Sequence, residues 1–587
     1  MARAVPARQH RGGGRARPAR RVARRWHPRV RARRRRGPAV RRRRRRRLRP
    51  GPAPHPHRRA GHRAARRGRR AGRRAARLGT LPRRLRGVHR RRAGRAAGLS
   101  VTGEQDALEA GRGRAALDVL VQLVGRFGNL ALGVVATVVL VQALGIEGNG
   151  QWATILAVAT LVGVAGEFGL EPSAVRLAAQ EREDEARWIT ALLLVRCAIA
   201  LPASLLAAAI CFAVSTDGTM ALAGALVSGT ILAGAPMSLR TIFQLRVRND
   251  VPIVVMTVNS VAWLAAIVLL AVLDGGLVAF AASFLAIQVA TTGLMVVLAL
   301  RELDLQGGEL VARARRLVRI GFVVGIGTAL TTAYAKIDQV MVLEIAGERD
   351  AGLYGSAYIL LDRLQFIPSA VMTTAFPLLA AAWPGDRPRI HGLAQRILEL
   401  LLLASAPILA FTVVAPEQVV RALFGAEFQD AGAALPILMG AYVLVAFGYL
   451  MGFMAIVVDA QRIFVRIALA GLLFNVVANL LVIPDHGYVG AAWTTLATEV
   501  LVCGLAARAT LVGRVGMRPA LVPLLRIAAA AAVMGVAVAA AERAGAPLAV
   551  LVITAALSYP AAVLALRAVP RSDVTRAVGA VRGRLGG

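Results

Sequence analysis

Residues 251–300 have the sequence VPIVVMTVNSVAWLAAIVLLAVLDGGLVAFAASFLAIQVATTGLMVVLAL, in which Asp274 is the single charged side chain. The stretch contains two apolar segments, 251–273 and 277–299, joined by a short turn with two glycines. Each segment has about the 20 residues that an α-helix needs to cross a hydrocarbon layer about 30 Å thick. Neither shows the polar face that a soluble helix presents every three or four residues. The stretch therefore predicts two successive membrane-spanning helices.

The same pattern recurs along the chain, in which 56% of the residues are hydrophobic. The sequence predicts an all-α polytopic membrane protein with about 14 transmembrane helices, and no extramembrane segment is long enough for a soluble catalytic domain. The predicted spans cover residues 117–143, 153–170, 188–213, 219–239, 251–273, 277–299, 318–346, 351–382, 394–415, 434–457, 466–483, 488–507, 523–541 and 547–566.

The arginines of the loops are divided unevenly between the two sides that these spans define. With a cytoplasmic N-terminus, 25 arginines fall in the cytoplasmic loops and the C-terminal tail. Only Arg349, Arg421 and Arg543 fall on the other side. Cytoplasmic loops of membrane proteins carry an excess of Lys and Arg. The bias predicts that both termini face the cytoplasm, as in a bacterial inner (plasma) membrane protein.

Residues 1–100 differ from the rest of the chain. They hold 40 of its 74 basic residues and no acidic residue, so the other 487 residues carry 34 basic and 32 acidic side chains. A segment of Arg, Ala, Gly and Pro is expected to be disordered. It lacks the fold signatures and interleaved aromatics of nucleic-acid recognition, and we expect no nucleic-acid partner. The codons of these residues are GC-rich, so we interpret this leader as non-native translation upstream of a start near Val101.

An internal repeat divides the apolar region. Leu144-Gly145, Gly150 and Trp152 after the first span correspond to Ala346-Gly347, Gly352 and Tyr354 after the seventh. The glycines suit a tight outer turn, and the aromatic rings are expected at the bilayer interface. Repeats of this kind are a common transporter design. We expect an N-lobe with helices 1–6 at 101–310, a C-lobe with helices 7–12 at 311–515, and a last helix pair with a basic tail at 516–587.

Three blocks, in order, resemble the oligosaccharide (polysaccharide biosynthesis, O-antigen type) flippase family of the multidrug/oligosaccharidyl-lipid/polysaccharide exporter superfamily. The first is GRFGNLALGVVATVVLVQALGIEGNGQWA with the later GEFGLEPSAVR. The second is KIDQVMVLEIAGERDAGLYGSAYILLDRLQFIPSAVMTTAFPLL, which resembles the family's seventh and eighth spans. The third, FNVVANLLVIPDHGYVGAAWTTLATE, is similar to its eleventh and twelfth spans. The resemblance covers about residues 117–510.

This resemblance implies two pseudo-symmetric six-helix lobes around a central cavity that opens to one membrane face at a time. The implied substrate is an oligosaccharide on a polyprenyl diphosphate, used for cell-surface polysaccharide. A polysaccharide polymerase and glycosyltransferases would be partners in the same process. The lipid II flippase branch and the cation-coupled multidrug antiporters of the same superfamily remain alternatives. A membrane-embedded glycosyltransferase is disfavoured because no acidic catalytic loop is present, so the chain is expected to be a transporter with no catalytic residue.

Cationic side chains inside membrane-spanning helices are energetically unfavourable, and they commonly line a cavity or pair with another side chain. A diphosphate requires such donors, and arginine contacts its oxygens in pairs. We predict a substrate-binding cavity from the four buried cations Arg126, Arg196, Lys336 and Arg363. Each also has a simpler interpretation: Arg126 and Arg196 lie near enough to the cytoplasmic face to extend into it, and Lys336 and Arg363 have nearby acids with which to pair.

Acidic residues inside spans are candidates for coupling Na⁺ or a proton to transport. These are Asp338, Asp362, Glu167 and Glu499. Asp338 and Asp362 each lie close to a basic residue, and Glu167 lies near a helix end, whereas Glu499 has no basic neighbour in sequence. No cofactor is expected beyond such an ion. Cys197, Cys211 and Cys503 lack metal-ligand spacing, so no metal site is predicted.

Overall fold

The computed structural model describes residues 101–569 except Phe168, Val247 and Asn249. For residues 101–127, 130, 165, 166, 323 and 324 it describes the backbone alone. The predictions for residues 1–100 and for the basic tail beyond 569 lie outside the described residues. The chain divides into the units Met1–Glu104 and Gln105–Gly587, and all that follows concerns the second.

Within the described residues every regular element is helical, which confirms the predicted fold class. We number sixteen α-helices in chain order. They are α1 Val101–Glu167, α2 Leu170–Gln180, α3 Glu185–Val214, α4 Gly218–Gly234, α5 Thr241–Leu245, α6 Asp250–Val272, α7 Leu277–Leu300, α8 Leu310–Ala346, α9 Glu348–Leu364, α10 Phe366–Ala382, α11 Arg387–Val414, α12 Pro416–Phe424, α13 Leu435–Val457, α14 Gln461–Ala507, α15 Leu521–Arg543 and α16 Leu548–Ala565. Short 3₁₀ segments cover Arg182–Asp184, Ala235–Arg240 and Ala426–Ala433, and a π-helical segment covers Arg508–Val515.

The number of spans differs from the prediction. Eleven helices of the described residues are long and apolar enough to cross a membrane, or twelve if α8 is counted as one bent span. The count of fourteen is therefore not confirmed. The difference arises because α1 and α14 each run as one helix through a position where the sequence predicts an outer turn, although the backbone is non-helical at Gly145 and Gly487.

Glycines mark three such turns at the same end of the helices. Gly145 has φ 68° and ψ −175°, and Gly347, its counterpart in the repeat, has φ 89° and ψ 178°. Gly487 has φ 53°. Positive φ is open to glycine at little cost, so the two halves of the repeat share one turn conformation. We call this end the opposite face, and the arginine-rich end of the helices the basic face.

We call residues 101–300 the N-half and 310–565 the C-half. A buried apolar cluster joins them on the side of the opposite face, and it contains Ile155 and Ile267 from the N-half and Val342 and Tyr354 from the C-half. Trp152 and Tyr354 are 4% and 1% exposed, so the expectation that these rings lie at the bilayer interface was wrong. Both rings face into the protein because the repeat places them where the halves meet.

At the basic face, the first turns of α8 are attached to the N-half by ion pairs. Arg313 donates to Asp184 at 2.7 Å, and its guanidinium lies 4.8 Å from the centre of the Trp188 ring. Arg316 pairs with Glu181 at 3.1 Å. Beyond these contacts α8 bends by 53° between Leu310–Phe322 and Gly325–Ala346. The remainder of α8 packs on α14 of the C-half.

Candidate functional site

A cavity of about 1130 Å³ lies between the N-half and the C-half. Helices α1, α6 and α7 line it on one side, and α8, α9 and α10 line it on the other. Arg240 and Gln244, near the basic face, are part of the lining. The cavity agrees with the expectation of two helical halves around a central space, and its lining extends to the arginine-rich end of the helices.

The predicted cation Lys336 lies in this cavity and is paired. Its Nζ contacts Oδ2 of Asp362 in an ion pair and lies 4.8 Å from the centre of the Tyr358 ring. The partner is thus Asp362 of α9 rather than Asp338, which is two residues away on the same helix. Neighbours on a helix at this spacing point in different directions, so proximity in sequence did not identify the pair.

Arg363 follows Asp362 and reaches across the cavity. Its Nη2 donates to the Thr137 hydroxyl of α1 at 2.7 Å, which links the C-half to the N-half. Among the described side chains, no carboxylate lies within ion-pair distance of Arg363, whereas Lys336 and Arg240 both have one. Its guanidinium is therefore a cavity cation that is hydrogen-bonded to a neutral hydroxyl and has no carboxylate partner among the described side chains.

Two arginines share one carboxylate beside the cavity. Arg240 contributes to the lining and donates to Glu171 through Nε at 3.1 Å and Nη2 at 2.8 Å. Arg196 does not contribute to the lining; its Nη2 lies 3.9 Å from the same carboxylate. The structure thus assigns Arg196 to an ion cluster in the wall. Arg240 was missed because it ends a 3₁₀ turn that the sequence analysis assigned to a loop.

Two further predicted residues lie away from the described lining. Arg126 belongs to α1, and its side chain is outside the described residues. Glu167 is the last residue of α1 and is exposed. Neither is brought together with Lys336 and Arg363 by the described contacts.

Asp338 is buried in a separate polar cluster of the C-half. It accepts hydrogen bonds from Tyr354 at 3.0 Å, Thr495 at 2.7 Å and Asn479 at 2.9 Å. The donors come from α9 and α14, so the carboxylate connects three helices. Because two of the donors are more than 140 residues away in sequence, no local pattern could indicate this cluster.

Glu499, the fourth acidic candidate, lies close to this cluster and is 6% exposed. The Tyr334 hydroxyl of α8 lies beside its carboxylate. Asn475, which hydrogen-bonds Asn479, also contacts Thr498 beside Glu499. A chain of amide and hydroxyl groups thus leads from Asp338 to the residue beside Glu499, whereas Asp362 lies in the cavity. Across the described residues, no group of three or more His, Cys, Asp or Glu is arranged to hold a metal ion.

Three aromatic rings form one wall of the cavity in the N-half. Trp152 and Trp263 are stacked, with centroids 6.0 Å apart and planes inclined by 18°. Phe284 meets Trp263 edge to face at 4.9 Å and Trp152 at 5.8 Å. We call these three residues the aromatic wall. The sequence analysis missed it because the rings belong to three different helices.

The two halves meet closely at the opposite face, where a set of contacts closes this end. Gly150 of α1 lies against Gly352 of α9, and a Cβ on Gly352 would overlap the Ile146 carbonyl oxygen. Asn149 donates to the Gly352 carbonyl at 2.9 Å. Gln151 donates to Glu348 at 2.8 Å. We call these contacts the glycine seal.

Comparison with solved structures shows the fold. The chain is similar to the lipid II flippase MurJ in an inward closed conformation, with a TM-score of 0.61 and 14% identity over 76% of this chain and 99% of that chain. It is also similar to the MATE multidrug transporter DinF-BH, with a TM-score of 0.52 and 17% identity over 68% and 94% of the two chains. An inward-facing MATE family transporter of the MOP superfamily gives a TM-score of 0.51 and 14% identity over 68% and 95%.

Comparison of the sequence with curated proteins finds no match. A family profile described as polysaccharide biosynthesis protein matches residues 139–433, which is half of the chain. The match includes the aromatic wall, the glycine seal and the cavity cations Lys336 and Arg363. This multi-pass membrane protein therefore belongs to the polysaccharide biosynthesis protein family.

Proposed function

We propose that the protein is a flippase that moves oligosaccharide linked to polyprenyl diphosphate across a bacterial plasma membrane. The observation that carries the proposal is Arg363, a cavity cation that contacts a hydroxyl and no described carboxylate. A diphosphate supplies the missing negative charge and several acceptor oxygens for the guanidinium. Lys336 is a second donor on the same wall, available when Asp362 gives way to the phosphate.

The closed opposite face and the lining near Arg240 suggest how transport proceeds. With the basic face in the cytoplasm, as the arginine bias predicts, the headgroup enters from the cytoplasmic leaflet. Separation of the glycine seal then opens the cavity to the outer side by alternating access. Lipid-linked sugar of this kind is the precursor of cell-surface polysaccharide, so glycosyltransferases would supply the substrate and a polymerase would consume the product.

The test is translocation of a fluorescent lipid-linked oligosaccharide in proteoliposomes that contain the full chain. We expect transport to fall strongly in Arg363→Ala and to be retained in Arg349→Ala, a matched control whose exposed arginine pairs with Asp430 at the opposite face. Transport by both variants at the wild-type rate would contradict the diphosphate site. Transport of lipid II alone would assign the chain to that related activity, which the likeness to MurJ makes the principal alternative.

A multidrug antiporter makes a different prediction in the same vesicles. A cavity that binds cationic drugs would favour acids, whereas the described lining carries Arg240, Lys336 and Arg363 against Asp362 alone. Efflux of cationic dyes, with no movement of any lipid-linked sugar, would replace the flippase proposal with drug export.

We further propose that the cluster around Asp338 and Glu499 binds the coupling ion, Na⁺ or a proton. Two carboxylates buried beside amide and hydroxyl oxygens provide oxygen ligands for a small cation. A buried ionised carboxylate is also energetically unfavourable unless a cation or a proton neutralises its charge. Asp338→Asn and Glu499→Gln are expected to abolish the response of transport to an imposed Na⁺ or pH gradient. Glu167→Gln, at the exposed helix end, is expected to preserve it; the reverse pattern would move the coupling site to Glu167.

A further inference from the structure

The aromatic wall and the cavity cations occupy different sides of one cavity. Lys336 and Arg363 belong to the C-half, whereas the part of the lining that α6 and α7 contribute carries no charged side chain among the described residues. A substrate with a charged part and an uncharged part would therefore meet two chemically distinct surfaces. Lys336 and Arg363 face the charged part of such a substrate. The N-half surface is then left for the uncharged part.

Helix α6 presents one stripe to the cavity. Its lining residues recur at intervals of three or four, the spacing of one helical face, and they are Pro252, Ile253, Met256, Asn259, Ser260 and Trp263. Trp263 ends the stripe, with Phe284 against its edge and Trp152 stacked behind it. This packing fixes the indole, so a ligand that stacks on it would not have to order the ring.

The polar groups beside the ring are uncharged and include both donors and acceptors. Asn259 Oδ1 accepts from Thr291 at 3.1 Å, which orients the Asn259 amide group. The Ser260 hydroxyl donates to a backbone carbonyl, so its oxygen remains an acceptor. Asn129 lies farther toward the basic face, where it donates to Thr257 at 3.0 Å. Sugar hydroxyls, which donate and accept, match such a set.

The two surfaces also lie at similar depths. Helical rise places Trp263 about 14 Å from the end of α6 at the opposite face, and Thr137, which accepts from the Arg363 guanidinium, about 12 Å from the Gly145 turn at the same face. A headgroup whose phosphates contact Arg363 would thus have its next groups across the cavity from the C-half, on the side of the ring. In a polyprenyl diphosphate sugar, the groups next to the phosphates on the side away from the lipid are the first sugars.

We propose that Trp263, supported by Trp152 and Phe284, stacks on the apolar C–H face of a sugar near the diphosphate, while Asn259 and Ser260 hydrogen-bond its hydroxyls. The proposal rests on the proposed function and assigns its sugar-binding side chains. The phosphate surface of the C-half then provides affinity that is common to all polyprenyl diphosphates. The aromatic wall of the N-half selects those that carry sugar.

The test compares two lipids in proteoliposomes: polyprenyl diphosphate without sugar, and the same lipid carrying an oligosaccharide. We expect Trp263→Leu, which keeps apolar bulk without a stacking face, to lower transport of the sugar-bearing lipid about tenfold, the size of effect expected for one aromatic contact. Transport of the sugar-free lipid is expected to stay unchanged. Trp263→Phe should restore most of the loss, and Trp493→Leu, at an exposed tryptophan of α14, should behave as wild type.

The outcomes separate the two proposals. Equal effects of Trp263→Leu on both lipids, or no effect on either, would overturn the sugar-stacking role while leaving Arg363 and the flippase proposal in place. Should Trp263→Leu lower the thermal stability, Asn259→Ala provides an independent variant that must show the same selective loss. Failure of the wild-type protein to move either lipid would overturn the flippase proposal itself, and the sugar site with it.

Discussion

At the residue scale, Asp338 shows how a buried acid is held in an apolar bundle. Its carboxylate accepts hydrogen bonds from Tyr354, Thr495 and Asn479, which belong to two other helices. A carboxylate in such a place would be strongly destabilising without these donors. The same contacts join α8, α9 and α14, so an ion that binds at Asp338 would act on all three helices at once.

The hydrogen bond from Tyr354 gives a direct prediction. Tyr354→Phe removes the donor to Asp338 and keeps the ring, so we expect the free energy of unfolding to fall by about 1.5–3 kcal/mol, the range for a hydrogen bond to a charged group. The measurement is denaturant unfolding in detergent. Tyr442→Phe, which removes a hydrogen bond to the Leu364 carbonyl, is expected to lower the free energy of unfolding by less. Equal losses in the two variants would contradict a special role for Asp338.

At the element scale, α8 is divided between two partners. Its first turns contact the N-half through Arg313, Trp188 and Asp184, and its second part packs on α14 of the C-half. The 53° bend lies between these attachments. Motion of the halves relative to each other would therefore be taken up by the glycine-containing bend rather than by the ends of α8.

The attachment at the basic face is testable by itself. Arg313→Ala deletes a charge-assisted hydrogen bond to Asp184 and a guanidinium–indole contact, and we expect a loss of about 1–3 kcal/mol in the free energy of unfolding. Arg315→Ala, an exposed arginine of the same helix, should lie within about 0.5 kcal/mol of wild type. Indistinguishable denaturation curves for the two variants would show that this attachment does not stabilise the fold.

At the scale of the whole molecule, the two halves contact each other by backbone at the glycine seal and by a side-chain hydrogen bond at Arg363 and Thr137. The seal requires glycine because helices α1 and α9 approach too closely for a Cβ. In the proposed transport cycle, opening at the opposite face would break these contacts, so the free energy of the seal would contribute to the balance between the two orientations.

Gly352→Ala should shift that balance, because its methyl group would overlap the Ile146 carbonyl only while the seal is closed. We expect labelling of Ser260→Cys, in a background without other cysteines, by an impermeant thiol reagent from the opposite face to rise several-fold. Gly448→Ala, where a Cβ meets no atom within 4 Å, serves as the control. Unchanged labelling in Gly352→Ala would refute the seal.

Much of the fold could be predicted from sequence because long apolar segments and arginine bias are local signals. The repeat also placed Gly145 and Gly347 at equivalent turns. The site was only partly predictable: Lys336 and Arg363 stand out as charges inside apolar spans, but the pairing of Lys336 with Asp362 depends on how α8 packs on α9. Trp263 gave no signal, since a tryptophan in an apolar span is as compatible with a lipid-facing position as with a cavity.

Lys336 is the single lysine of the chain, so its position in the cavity makes side-chain amine chemistry selective for the site. Reductive methylation with isotope-labelled formaldehyde would introduce one side-chain resonance into the membrane region. The frequency of that signal would report whether the amine contacts Asp362 or an incoming phosphate, without any engineered probe. A Lys336→Arg variant would supply the blank spectrum, so the occupancy of the cavity could be followed directly during titration with substrate.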